Sequence, residues 1–262
     1  MKTHQILLSS PDSARDVVAA LRPKERMEHE EERKPWEVLD FEDEDTLEPY
    51  SVAVLSARGV MARDVEGWWG CCDLGELAEE AEAADADANV RAIIIVIDSP
   101  GGTVNGTPEA AERIARLDKP VMVWVEGEMC SAAYWLAASA DYIAATPSSI
   151  TGSIGCVLAY YDESKFLSDI GVEVQVFRSG ELKAAGYPGT ALTQAEAAHF
   201  QSRVDSVGAD FLAWVLQYRP EMDLSLADGR SVTGKEGFQL GIVDGLHTTR
   251  EEAVAAFLAL YA

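Results

Sequence analysis

Histidine is scarce in this chain: only His4, His29, His199 and His247 occur among 262 residues. The first two fall in a charge-dense N-terminal stretch, the third in an amphipathic helical pattern and the fourth near the C-terminus. None has the Gly-rich or strand-end context that a Ser-His-Asp triad requires, so a catalytic base, if there is one, is better sought elsewhere. Cysteine is equally sparse. Adjacent Cys71 and Cys72 make a poor disulfide pair, and Cys130 and Cys156 complete no zinc-ligand spacing, so all four read as free thiols and no metal is expected. Basic residues are few, 21 against 45 acidic ones, for a net charge of −24. That balance argues against nucleic acid as a partner, because phosphate contacts need clustered Lys and Arg. No apolar run approaches the ~18–20 residues that span a bilayer. Met1 to Leu8 runs directly into Ser9, Ser10, Pro11 and Asp12, without the apolar core of a signal peptide. The expectation is a soluble cytoplasmic protein with no membrane partner.

What is present is a chain long enough for one α/β core of about 200 residues. The first fifty residues stand apart, with 14 acidic and 7 basic residues and prolines at 11, 23, 35 and 49. Such a stretch buries too little apolar surface to offset its ordering entropy unless it docks on a folded body. Residues 1–50 therefore read as an acidic flexible arm, with an amphipathic turn or two at Ser13 to Leu21, and residues 51–262 as the folded domain.

From Ser51 the pattern becomes regular. Ser51 to Val60 reads as a strand and Asp73 to Asp87 as a helix capped by Asp73. Val90 to Ile97 is a continuous apolar run that ends in Asp98-Ser99-Pro100-Gly101-Gly102, a strand buried on both faces followed by a tight turn. A helix at Pro108 to Leu117, with Thr107 as its candidate cap, precedes a strand at Pro120 to Val125 and a small-residue helix at Cys130 to Ala140. Short strands are expected at Tyr142 to Ala145, Ile154 to Tyr161 and Val172 to Phe177, with a helix at Ser164 to Ile170. Thr193 and Glu196 form a capping-box pattern opening a long helix to Tyr218. Helices at Thr233 to Leu240 and Arg250 to Leu260 end the chain. This alternation predicts an α/β fold with a mostly parallel sheet.

Three segments could carry chemistry. Ser131 lies where a strand-following loop meets a helix, so its Oγ would sit at the positive helix end, and Ala132 and Ala133 let a backbone approach. Taken alone it could equally be an N-cap. Gly101 and Gly102 follow a core strand, where backbone N–H groups can point into a cleft unobstructed. Lys183, among Leu182, Ala184 and Ala185, could act as a base if its site excludes water; a solvated surface lysine is the plainer reading.

In order along the chain, Ile97 to Gly102 (IDSPGG), Cys130 to Asp141 (CSAAYWLAASAD), Thr151 to Gly155 (TGSIG) and the Lys183 segment resemble the signal peptide peptidase A family of Ser–Lys proteases. That family, peptidase family S49, includes the capsid-maturation proteases of tailed bacteriophages. The likeness covers about Ser51 to Leu246, and the 52-residue separation of Ser131 and Lys183 is similar to that of single-domain bacterial members. The resemblance implies a ClpP/crotonase-like spiral α/β fold and a serine endopeptidase that needs no cofactor. It gives Ser131 the role of nucleophile and Lys183 that of general base, with Ser153 orienting the lysine. Gly102 and Ala132 would supply the oxyanion-hole N–H groups, and Gly101 would contact substrate. It also implies a homo-oligomer acting on polypeptides.

Bacterial members are membrane-anchored, whereas no anchor is expected from this sequence. That favours the phage type, processing capsid, portal or scaffold proteins in the procapsid within the host cytoplasm. Alternatives are a soluble bacterial signal-peptide-peptidase-like protease, a proteolytically silent capsid assembly factor, a crotonase-like acyl-CoA enzyme, and a protease built on Cys130.

Overall fold

The computed structural model describes residues 7–9, 36–42, 49–65 and 70–261. The helical turns expected at Ser13 to Leu21, and His4 and His29, lie outside them. Three stretches of the first fifty residues lie inside, and each forms strand: β1 (Leu7–Ser9), β2 (Glu37–Glu42) and the first two residues of β3 (Pro49–Arg58).

The larger sheet is built on β3 (Pro49–Arg58), β6 (Val90–Ser99) and β8 (Val121–Cys130), which pair in parallel in that order. β2 closes one edge, antiparallel to β3. On the far side β8 has two successive partners. Its first half pairs in parallel with β9 (Tyr142–Ala145), and its last three residues pair in parallel with β10 (Ile150–Gly152). β11 (Ser231–Thr233) lies antiparallel to β10, and β12 (Gly245–Leu246) parallel to β9. A smaller sheet has the order β1-β7-β4-β5, from β4 (Val60–Ala62), β5 (Cys71–Asp73) and β7 (Gly101–Thr103).

The continuous apolar run of β6 is explained by two cores, one on each face of the sheet. Ile93, Ile95 and Ile97 point to one side, with Leu55, Val123 and Val125. Ala92, Ile94 and Val96 point to the other, with Val54, Met122 and Trp124. Period-two alternation thus serves both faces, and each buried Ile contributes about 2–3 kcal/mol. Helix α1 (Leu74–Ala86) lays Leu74, Leu77, Ala78, Ala81 and Ala84 onto the first core, the spacing of one helical face. Asp73 caps it, accepting from the Gly75 and Glu76 N–H groups at 2.8 and 3.1 Å. Helices α2 (Thr107–Ile114), α3 (Ala132–Ala137) and α5 (Gln194–Tyr218) add to the same core. The second face is covered by α7 (Arg250–Leu258) through Ala253, Val254 and Phe257. α4 (Ser164–Asp169) buries no residue, and α6 (Gly234–Gln239) follows β11 with its own capping box.

Three local expectations change. Thr107 does not cap α2: Gly106 holds the N-cap position, and the Thr107 hydroxyl donates to the Thr103 carbonyl at 2.7 Å. Ile154 to Tyr161 and Val172 to Phe177 are not strands. Their β-branched and aromatic residues fit a pleated surface, but a strand needs a ladder partner, and β11 already occupies the outer edge of β10. The alternation of helices and parallel strands is otherwise as the sequence pattern predicts. The four cysteines form no disulfide.

Candidate active site

The parallel register of β8 and β10 assembles the centre. Cys130 lies opposite Gly152, and the chain leaves β8 at Ser131, whose N–H donates to the Gly152 carbonyl at 2.9 Å. Ser131 then opens α3: its own carbonyl accepts the Trp135 N–H at 2.9 Å, the first bond of that helix. A residue that ends a strand and starts a helix without an intervening loop must turn sharply. Ser131 does so at φ 56° and ψ −116°, in a region that L-residues rarely occupy. The surrounding bonds over-determine this strained conformation.

The Ser131 side chain does not cap α3. Its Oγ instead donates to the Gly155 carbonyl over a long 3.4 Å, and the residue is fully buried. The Ser131 hydroxyl is thus not a helix cap, although the residue holds the N-cap position in strained backbone.

Ser153 is the second strained residue here, at φ 53°, with its N–H donating to the Arg230 carbonyl at 2.8 Å. It is buried and lies two positions before the carbonyl that accepts from Ser131 Oγ. Gly152 before it has φ 104°. Ser131 and Ser153 are therefore brought to one place by the ends of neighbouring strands. Ala132 is the first residue of α3 and is fully buried, so its N–H is among those a helix leaves without an intrahelical acceptor.

β7 carries Gly101 and Gly102, and α3 packs against it. Gly101 has φ 103°, and its N–H is held by Ser99 Oγ at 3.1 Å. At Gly102 a Cβ would lie 1.7 Å from the Met61 carbonyl oxygen, so only glycine allows β4 and β7 to approach this closely.

Lys183 is placed differently from the desolvated setting suggested by its apolar neighbours. It lies in a turn, its N–H donating to the Gly180 carbonyl at 3.1 Å, and it is exposed, as is Leu182. Among the described residues, Ser131 Oγ bonds to the Gly155 carbonyl and not to Lys183. The loop that carries Lys183 is anchored at both ends nonetheless. Arg178 pairs with Glu196 in the first turn of α5, and the Tyr160 hydroxyl donates to the Thr190 carbonyl. Glu196 also completes the capping box with Thr193. The Thr193 N–H, then Arg178, holds the Glu196 carboxyl below its ordinary range.

Cys130 is fully buried, with its sulfur 3.7 Å from Ser231 Oγ. Three further residues support the centre, and two of them, Arg219 and Arg230, stand in no motif of the sequence. Gly155 accepts from Ser131, Arg230 accepts from Ser153 through its backbone, and Arg219 braces the far end of α3. The Arg219 guanidinium donates to the Ala138 carbonyl at 3.0 Å, to the Ala140 carbonyl, and to Asp244 Oδ2 at 2.7 Å. Backbone carbonyls leave no trace in side-chain identity; Gly155 alone was signalled, by its place in TGSIG. Beside Ser153 and Gly155 opens a cavity of about 620 Å³, lined also by Cys156, Val157, Gly208 and Leu212. Burial pushes the Cys156 thiol up from its ordinary value.

The chain is similar to several known proteases. The chain is 30% identical over 202 residues to Protease 4 of Salmonella typhi, covering 75% of this chain and 32% of that protein. It is 29% identical over 202 residues to capsid assembly protease C of Escherichia phage lambda, covering 74% and 46%. The chain spans about half or less of the length of the curated relatives it matches. Among solved structures, a serine-to-alanine mutant of the 1510-N membrane-bound stomatin-specific protease superposes with a TM-score of 0.51. It is 16% identical, and the match covers 78% of this chain and 83% of that one. The fold is thus the ClpP/crotonase-like α/β spiral. The model of peptidase family S49 matches residues 113–259, and the chain belongs to that family.

Proposed function

We propose that this chain is a serine endopeptidase that uses Ser131 as nucleophile and Lys183 as general base. The observation that carries the reading is the Ser131 conformation: positive φ at a strand–helix junction, full burial, and a hydroxyl not used as a cap. Ser131 Oγ attacks the scissile carbonyl carbon while its proton passes to the neutral lysine amine. The N–H groups of Gly102 and Ala132 receive the developing oxyanion, and Gly101 contacts the substrate backbone. Collapse of the tetrahedral species expels the amine, which takes the proton back from lysine and leaves an acyl ester on Ser131. Water then hydrolyses the ester with lysine again as base. Ser153 orients the lysine.

Lys183 is exposed in the single chain, and its segment is unusually apolar at the surface. Phe177 is 94% exposed, Tyr161 79% and Phe166 64%, with Ile170 and Val172 also open. A contiguous stretch of this kind marks a surface that another protein covers. Homo-oligomerisation supplies that cover: a second copy over the segment excludes water from Lys183, which favours the neutral form a base needs.

The substrates on this reading are capsid, portal or scaffold proteins of a bacteriophage, cleaved in the procapsid. The likeness to capsid assembly protease C supports that choice, and the equal likeness to Protease 4 makes a soluble bacterial signal-peptide-peptidase-like enzyme the second reading. On this reading residues 51–262 are the protease domain, to whose sheets the first fifty residues contribute β1 and β2. Purified chain should cleave co-expressed head proteins, and Ser131→Ala or Lys183→Ala should abolish cleavage. Full retention in either variant rejects the dyad. Assembly support without cleavage by the unmodified chain would instead identify a silent assembly factor.

A further inference from the structure

β7 has two edges. One is closed by β4, where Met61 pairs in parallel with Gly102. The other is taken by β1, far away in sequence, which runs antiparallel with Leu7 opposite Thr103, Leu8 opposite Gly102 and Ser9 opposite Gly101. Gly101 and Gly102 present no side chains, so β1 meets bare backbone there. An open strand edge of this kind pairs with any extended peptide, through main-chain hydrogen bonds that are indifferent to sequence. β7 is also the strand against which α3 packs, directly after Ser131. The strand that β1 pairs with is therefore the one packed against the helix that Ser131 opens.

We propose that Leu7–Ser9 is an intramolecular plug that holds the β7 edge in the resting chain and leaves before a polypeptide substrate pairs there. This rests on the reading of Ser131 given under Proposed function. Three residues make few ladder bonds, so the plug is displaceable. Because it belongs to the same chain, it competes intramolecularly, independent of protein concentration. The device selects for substrates that present a long extended segment, since these form more bonds along β7 than the plug does.

The test uses the full chain with Leu7→Pro and, separately, Leu8→Pro. Adjacent strand residues point their N–H groups to opposite sides, so one of the two removes a donor that faces β7. In at least one variant, amide exchange at Gly101 to Thr103 should quicken tenfold or more. The apparent KM for fluorescein-labelled denatured casein should fall about fivefold with kcat unchanged, the change for roughly one net backbone hydrogen bond. Unchanged exchange and KM in both variants would overturn the plug, even with Ser131-dependent cleavage intact. A binding arm separates the two readings: Ser131→Ala chains with and without the prolines are titrated with the same casein. About fivefold tighter binding with proline supports the plug whether or not Ser131 proves to be the nucleophile; equal binding rejects it.

Discussion

The Ser131 N–H and the Gly152 carbonyl, 2.9 Å apart, join the ends of β8 and β10. This one bond fixes where the chain turns from strand to helix, and so fixes the strained backbone of Ser131. Because the strain belongs to the backbone, it separates activity from stability. Ser131→Gly should remove hydrolysis, by about 10³-fold or more, yet raise stability in urea by about 1 kcal/mol, since glycine adopts positive φ freely. Ser131→Ala should lose the same activity without the gain. Equal urea midpoints for the two variants would show that the turn carries no strain.

Gly102→Ala should fail for a steric reason. The added Cβ would fall 1.7 Å from the Met61 carbonyl oxygen, so β7 must shift away from β4. In the oxyanion role proposed for Gly102, such a displacement costs about 10²–10³-fold in kcat. Steady-state kinetics should show this fall in kcat, whereas a purely structural glycine would give a variant of lower melting temperature and unaltered kcat.

Arg219 satisfies the Ala138 and Ala140 carbonyls at the end of α3, and Asp244. Arg219 is buried while Asp244 is part-exposed. Arg219→Ala strands those carbonyls and leaves the carboxylate without its cation. The loss should be on the order of 3 kcal/mol in chemical denaturation. A change below about 0.5 kcal/mol would mean that water replaces the guanidinium freely.

Phe177 is almost wholly exposed on the segment that carries Lys183. Phe177→Asp should leave the single chain folded, with unchanged circular dichroism, but reduce self-association in analytical ultracentrifugation and peptidase activity together. Activity that survives in a strictly monomeric variant would show that Lys183 acts without cover from a second copy.

Glu196 ties the Lys183 loop to α5, and its carboxyl is held low, first by the Thr193 N–H and then by Arg178. A lowered folded pKa means that this anchor is complete above the ordinary value of 4.5 and is lost as pH falls through the lowered one. Amide exchange in residues 178–196 should therefore accelerate on acidification below about pH 4.5, and Glu196→Gln should flatten that dependence. The same pH response in both proteins would place the acid-sensitive group elsewhere.

Much of the fold was legible in local pattern, because it depends on periodicity and capping. The β6 run, the Asp73 cap and the Thr193–Glu196 capping box each combine residue types whose energetics are local, and each appears where the pattern puts it. Ser131, Ser153 and the Gly101–Gly102 turn were likewise nameable from ordered motifs. Val172 to Phe177 departs from its pattern for the complementary reason: side-chain propensity is present, but a ladder partner is a property of the tertiary structure.

By itself, then, the sequence determined the layered α/β core and the residue types at the centre. The tertiary structure alone decided how they act. The register of β8 against β10 strained Ser131 and set it beside Gly155, while the close approach of Met61 made Gly102 indispensable. It also left Lys183 at the surface and laid Leu7–Ser9 along β7. Each of these depends on which distant segments become neighbours, and backbone hydrogen bonds between such segments carry no signature in the side chains that encode them.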